Sequence, residues 1–251
     1  MFLKAYLLIR KYQYALNIFM FISLFFFLLP LKADDKTLYI VTPVWKNWTN
    51  SDGTGYYFDL VRLIYKPLGY EIIFDIAPFS QAKKMVELKE ADAAFSLYMA
   101  NSNEDYVTPK HSLASGEVVI MFSRDLEWQG ISSLNQKDIL YPQGYNFIPE
   151  IPITFTHIEV SDSKTGMLML MRGRASYFIT NLEEMTQLQQ ELRIDMTLYR
   201  VEHLYAKKLF MGFSNTNKGR LLAQLFDQRM TLLINNSQID KLNKKWNLKT
   251  R

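Results

Sequence analysis

Apolar positions along the chain alternate between short dense runs and longer helical spacings. Leu38–Thr42 (LYIVT) is a compact β-rich run, followed by a polar, aromatic loop, Pro43–Tyr57, that holds Trp45 and Trp48. In the next segment Leu60, Val61, Leu63, Ile64 and Leu68 recur on one helical face, with Asp59 where an acid favours the helix dipole. Pro67 ends or kinks this helix and Gly69 closes it. Tyr70–Ile76 predicts a second strand. Ser80 predicts a cap for a helix running to Lys89, and Asp92–Tyr98 a third strand. The order β-α-β-α-β argues for a mainly parallel sheet with helical crossovers. Ligands in such sheets bind beyond the carboxyl ends of the strands.

Gly116–Ser123 reads as a strand buried on both faces, and a second α/β pattern follows it. Ile139–Tyr141 and Ile153–Val160 predict strands. Ser161, Asp162 and Ser163 predict a cap for a helix to Arg172, with Gly173 as its stop. Ala175–Ile179 predicts another strand. Leu182, Met185, Leu188 and Leu192 then mark the apolar side of a helix. Lys208–Ser214 returns as a strand, and two amphipathic helices, divided at Asn235-Asn236, end the pattern.

The N-terminus has a different grammar. Lys4, Arg10 and Lys11 precede an almost wholly apolar run, Ala15–Leu31, and Leu31-Lys32-Ala33 offers an exit. This is the pattern of a signal peptide cleaved near Ala33. The alternative is a retained membrane anchor, for which the run is short. The chain has 251 residues, with 29 Lys+Arg against 25 Asp+Glu. The leader carries four of the bases and no acid, so its removal leaves a neutral chain. A nucleic-acid partner, which needs a clustered positive surface, is therefore not expected.

Composition narrows the chemistry further. Zero Cys excludes disulfides, thiolate metal sites and a cysteine nucleophile. His111, His157 and His203 stand at no metal-ligand spacing. There is no nucleophile elbow, no zinc-protease helix motif and no phosphate-binding glycine loop. No catalytic residue, metal or cofactor is expected.

Four segments, in order, resemble the family 3 solute-binding proteins, the extracytoplasmic receptors of polar amino-acid uptake systems. They are GTGYYFDL, PFSQAKKMVELKEADAAFSLYM, LMRGRASYFI and the C-terminal stretch from Leu209 to Trp246. The resemblance implies an α/β, two-lobe type II periplasmic-binding-protein-like fold with two crossover strands, near Val118–Phe122 and Leu209–Phe213. It implies a signal peptide at 1–33, a discontinuous lobe 1 (34–122 and 205–251) and an inserted lobe 2 (123–204). A periplasmic monomer would close on a small-molecule ligand and engage an inner-membrane ABC permease or a sensor. Closure follows only if the ligand touches both lobes.

The ligand-binding candidates are Trp45, Trp48, Tyr56, Ser96, Tyr98, Asn103, Tyr145, Asn146 and Asn181. The family's carboxylate-clamping Arg falls at or near Asn103, and its ammonium-binding Asp at Asn181. An amide does not replace a bidentate Arg–carboxylate contact. These departures point away from a free α-amino acid and toward a neutral, polar or ring-bearing molecule. Two other readings stay open: a cyclohexadienyl-dehydratase-like enzyme using Glu104 or Asp105, and a tethered sensor that keeps Ala15–Leu31 as its anchor.

Overall fold

The structure is a computed structural model and describes residues 36–101, 104–145, 147 and 151–248. The leader reading, and the candidates Asn103 and Asn146, lie outside the described residues. Among these residues nine strands form one sheet, eight of them in a continuous hydrogen-bonded path, with helices on both sides. The chain opens with β1 (Thr37–Thr42), α1 (Tyr56–Tyr65), β2 (Glu71–Ile76), α2 (Phe79–Glu87) and β3 (Ala93–Leu97). Next come β4 (Tyr106–Val107), β5 (Ala114–Ser123), β6 (Asp138–Pro142), β7 (Thr156–Val160) and α3 (Ser163–Met171). The chain continues with β8 (Tyr177–Asn181), α4 (Leu182–Glu191), β9 (Tyr199–Ser214), α5 (Asn217–Asn235) and α6 (Gln238–Lys245).

Strand order is β2-β1-β3-β9-β5-β8-β6-β7, with β4 also on β9. In the first half β1 pairs in parallel with β2 and β3. In the second, β6 pairs in parallel with β7 and β8. Two antiparallel strands join the halves. The end of β9 pairs with β3 and β4, its beginning pairs with β5, and β5 pairs with β8. Both joining strands are longer than the sequence pattern suggests, because β9 starts at Tyr199 and follows β5 out to Ser123.

Each half has its own core. In the first, Leu38 and Ile40 of β1 meet Phe58, Leu60 and Ile64 of α1 and Leu222 and Phe226 of α5. In the second, Val119 and Met121 of β5 pack with Phe178, Met167, Leu170 and Met185 beneath α3 and α4. A third cluster spans the halves: Phe79, Tyr98, Ile120, Phe122, Tyr141, Tyr145 and Phe147. Alternate residues of β5 thus serve two cores, which is why the strand reads as buried on both faces.

Local chemistry sets the element ends. α1 stops at Tyr65 and Pro67 sits in a 3₁₀ turn that Gly69 closes at φ 82°. Asp162 caps α3 by accepting from Thr165 N–H at 2.7 Å. Thr216 caps α5 by accepting from Gly219 N–H at 2.9 Å. Ser80 does not cap α2: the helix starts at Phe79, with Pro78 at the cap position and no side-chain bond. Proline's fixed φ already sets the extended entry to the helix, so the turn begins one residue earlier.

Candidate functional site

The site is built where the parallel strands of both halves end. The loop after β1 folds back on itself, with Trp45 N–H donating to Thr49 Oγ1 at 3.1 Å and Thr49 Oγ1 donating to the Pro43 carbonyl at 2.7 Å. The same loop serves α1. Tyr56 and Tyr57 N–H donate to the Asn47 and Trp48 carbonyls at 2.9 and 3.1 Å, so backbone oxygens do the work of a side-chain cap. This close approach needs Gly55, where φ is 131° and a Cβ would lie 2.3 Å from the Trp48 oxygen. Trp48 and Tyr57 are thereby held ring to ring, 4.9 Å between centroids.

β3 contributes through a distortion. Its register to β9 slips between Ala94 and Leu97, and Ser96, inside the slip, has φ 61°. Such an extra residue re-aims a side chain. Ser96 is 9% exposed, and its hydroxyl donates to Tyr57 Oη at 3.4 Å. Tyr98 follows directly.

From the second half, the turn after β6 presents Tyr145, whose ring packs on Phe79 at 4.5 Å. The end of β8 runs straight into α4 at Asn181, whose amide makes no cap bond. Asn181, Leu182, Glu183 and Glu184 form the wall on this side.

These segments enclose a cavity of about 570 Å³, also lined by Ser115, Gln187 and Leu209. Glu184 crosses it. One of its oxygens accepts from Trp45 Nε1–H of the first half at 2.9 Å, and from Tyr145 Oη–H. The other accepts from Thr180 Oγ1–H at 3.1 Å, and from Ser163 Oγ–H. Four neutral donors hold this carboxylate, and among the described residues no Lys or Arg pairs with it. Burial, then the charge of Glu184 and its hydrogen bond, push the Tyr145 phenol well above its ordinary pKa. Burial, then Tyr205 and Glu184, do the same to Tyr98. Both phenols are therefore protonated at neutral pH and act as hydrogen-bonding groups.

Of the residues singled out from sequence, the structure brings Trp45, Trp48, Ser96, Tyr98, Tyr145 and Asn181 to this cavity. Tyr56 is not among them. It is 5% exposed, edge-on to Trp48 at 5.4 Å, and Tyr57 takes the lining place. Both tyrosines are in the first turn of α1, and the roughly 100° step between successive helical residues allows only one to face the cavity. Neither Glu104 nor Asp105 lines it, and Glu104 instead lies 3.4 Å from Lys83 Nζ. Among the described residues no group of three His, Asp or Glu is placed to hold a metal.

Sequence reasoning missed Glu184. Asn181-Leu182-Glu183-Glu184 has the spacing of a capping box, which accounts for an N3 glutamate without any site. Leu182 was expected on the apolar face of α4 but is 37% exposed at the cavity rim.

Solved structures share this fold. A mutant of ArgBP from T. maritima is similar at TM-score 0.67 and 15% identity, over 84% of this chain and 95% of that one. A substrate-binding protein of an ABC uptake transporter from Streptococcus pneumoniae, with bound histidine, gives 0.66 at 12%, over 84% and 92%. A histidine kinase sensor domain with similarity to periplasmic binding proteins gives 0.67 at 14%, over 84% and 95%. No protein-family model matches the sequence, and no curated protein is similar to it. At these identities the likeness establishes the fold, a two-lobe, type II periplasmic-binding-protein-like architecture with two crossing strands.

Proposed function

We propose that the protein is an exported solute-binding protein that captures a small polar molecule between its lobes. It hands that molecule, or the closed shape it induces, to an ABC-type permease or a sensor. One observation carries the reading. A single cavity is walled by Trp45, Trp48 and Ser96 from one half and by Tyr145, Asn181 and Glu184 from the other. A ligand there touches both halves, which is the condition for binding to favour closure.

The fold neighbours support it: they include substrate-binding proteins of ABC transporters and a kinase sensor domain. The lobes we assign are 34–122 with 205–251, and 123–204. The protein acts as a monomer in the periplasm after cleavage near Ala33. N-terminal sequencing of exported protein tests this, since a start at Asp34 excludes a tether.

Capture is tested by thermal shift against amino acids, amines, sugars and aromatic acids. A ligand at a hundredfold excess over Kd adds about 2.7 kcal/mol of apparent stability. Trp48→Ala is expected to abolish the shift while leaving the unliganded protein folded. Normal binding by that variant would remove the cleft from the proposal.

A further inference from the structure

We infer that the cleft selects an organic cation lacking a carboxylate, an amine or quaternary ammonium compound. The inference rests on the solute-binding reading above and names its ligand class. Three observations converge on it. First, the walls are rings: Trp45, Trp48, Tyr57, Phe79, Tyr98 and Tyr145 all line the cavity. Aromatic faces attract cations through their quadrupole, most strongly where water is excluded. The Tyr98 ring already receives one, with Lys207 Nζ 4.3 Å from its centroid.

Second, the charged lining is mainly negative. Among the described residues Glu183 and Glu184 line the cavity with one base, Lys46. Lys46 and Glu183 are both exposed and Glu184 is half-buried. Lys207 lies beside the cavity against the Tyr98 ring, so the rings left for a ligand are the other five. Among the described residues Glu184 is held by neutral donors alone, and no ion pair there cancels its charge.

Third, among the described residues the lining holds no arginine, and a bidentate guanidinium is the usual strong partner for a carboxylate. One feature works against a cation. The N-terminus of α4 abuts the cavity and contributes roughly half a positive charge. Two carboxylates in its first turn outweigh that half charge. The cavity, about 570 Å³, has room for a molecule of several heavy atoms.

The test compares charge at constant shape. The full chain is titrated with tetramethylammonium, choline and putrescine, and with 3,3-dimethylbutan-1-ol, the uncharged carbon isostere of choline. L-glutamine and glucose serve as zwitterionic and neutral controls. Tryptophan fluorescence and calorimetry read the binding. At least one cation is expected to bind, and choline to bind about tenfold or more tighter than its isostere. Glu183→Gln is expected to weaken the cation several-fold while the unliganded protein stays folded, as its circular dichroism and cooperative melting will show.

Equal affinity for choline and its isostere overturns the inference, as does failure of all three cations to bind. If glutamine or glucose binds instead, and Trp48→Ala abolishes that binding, the ligand class is wrong and the cleft reading stands. If nothing binds in a Trp48-dependent way, both fall.

Discussion

Ser96 shows how a single residue can be set by its neighbours against its own preference. A serine at φ 61° carries strain of order 1–3 kcal/mol, and glycine at the same place carries none. Ser96→Gly is therefore expected to leave stability within about 1 kcal/mol of the parent, the relieved strain offsetting glycine's extra entropy. Urea unfolding checks that, and loss of the hydroxyl should show separately as weaker ligand binding. Gly219 is the opposite case, because a Cβ there would lie 1.9 Å from the Ser214 carbonyl oxygen. Gly219→Ala is expected to destabilise by about 1–3 kcal/mol in the same assay, since backbone must move to admit the methyl. Neither effect can be read from hydrophobic pattern. Both depend on how two strands and a helix start meet.

At the scale of elements, periodicity carried most of the information. The strands and helices follow the apolar spacing because each must bury one face, and Phe226 of α5 is fully buried where its heptad-like spacing puts it. Phe226→Ala is expected to cost about 3–5 kcal/mol by chemical denaturation. Caps were legible only in part: Asp162, within the predicted Ser161–Ser163 group, caps α3, Ser80 does not cap α2, and the Thr216 cap of α5 was not foreseen.

The Asp162 cap also makes a pH prediction. Burial resists its ionisation, but the N–H donors of Thr165 and Lys164 and the hydroxyls of Ser161 and Thr165 outweigh this and lower its folded pKa. The unfolded chain then binds more protons than the folded one across the window between the two values. Stability is fully present above the ordinary carboxylate range and is lost as pH falls through the lowered pKa. Asp162→Ala should cost about 1 kcal/mol near neutral pH, and the gap to the parent should narrow on acidification.

For the whole molecule, the decisive feature is that the halves are joined and yet distinct. Hydrogen bonds run unbroken from β2 to β7 through β9, so no break in the sheet divides them. What divides them is packing: separate cores lie under the helices of each half, and a shared cluster sits beside the cavity. Along the joining strands the register slips between Val118 and Val119, leaving an extra residue on β9. The Trp45–Glu184 hydrogen bond spans the cavity between the halves. Trp45→Phe keeps a ring and removes the N–H. It should favour a more open unliganded form, seen as a larger radius of gyration in small-angle scattering. An unchanged radius would mean that the bond does not hold the lobes together.

By itself the sequence determined the α/β alternation, short strands at Gly116–Ser123 and Lys208–Ser214 and the aromatic character of the loop after β1, but not the run of β9 back to Tyr199 that pairs with β5. These follow from local rules: side-chain period, glycine and proline stereochemistry, and the burial each element requires. The tertiary structure decided which polar groups share a space. Glu184 and Trp45 are 139 residues apart, and no periodicity links them. Chain closure through β5 and β9 brings them together, and a carboxylate that is half-buried must find donors for its covered oxygens wherever the fold supplies them. A glutamate that local spacing reads as a helix cap thus becomes the charged wall of the cavity.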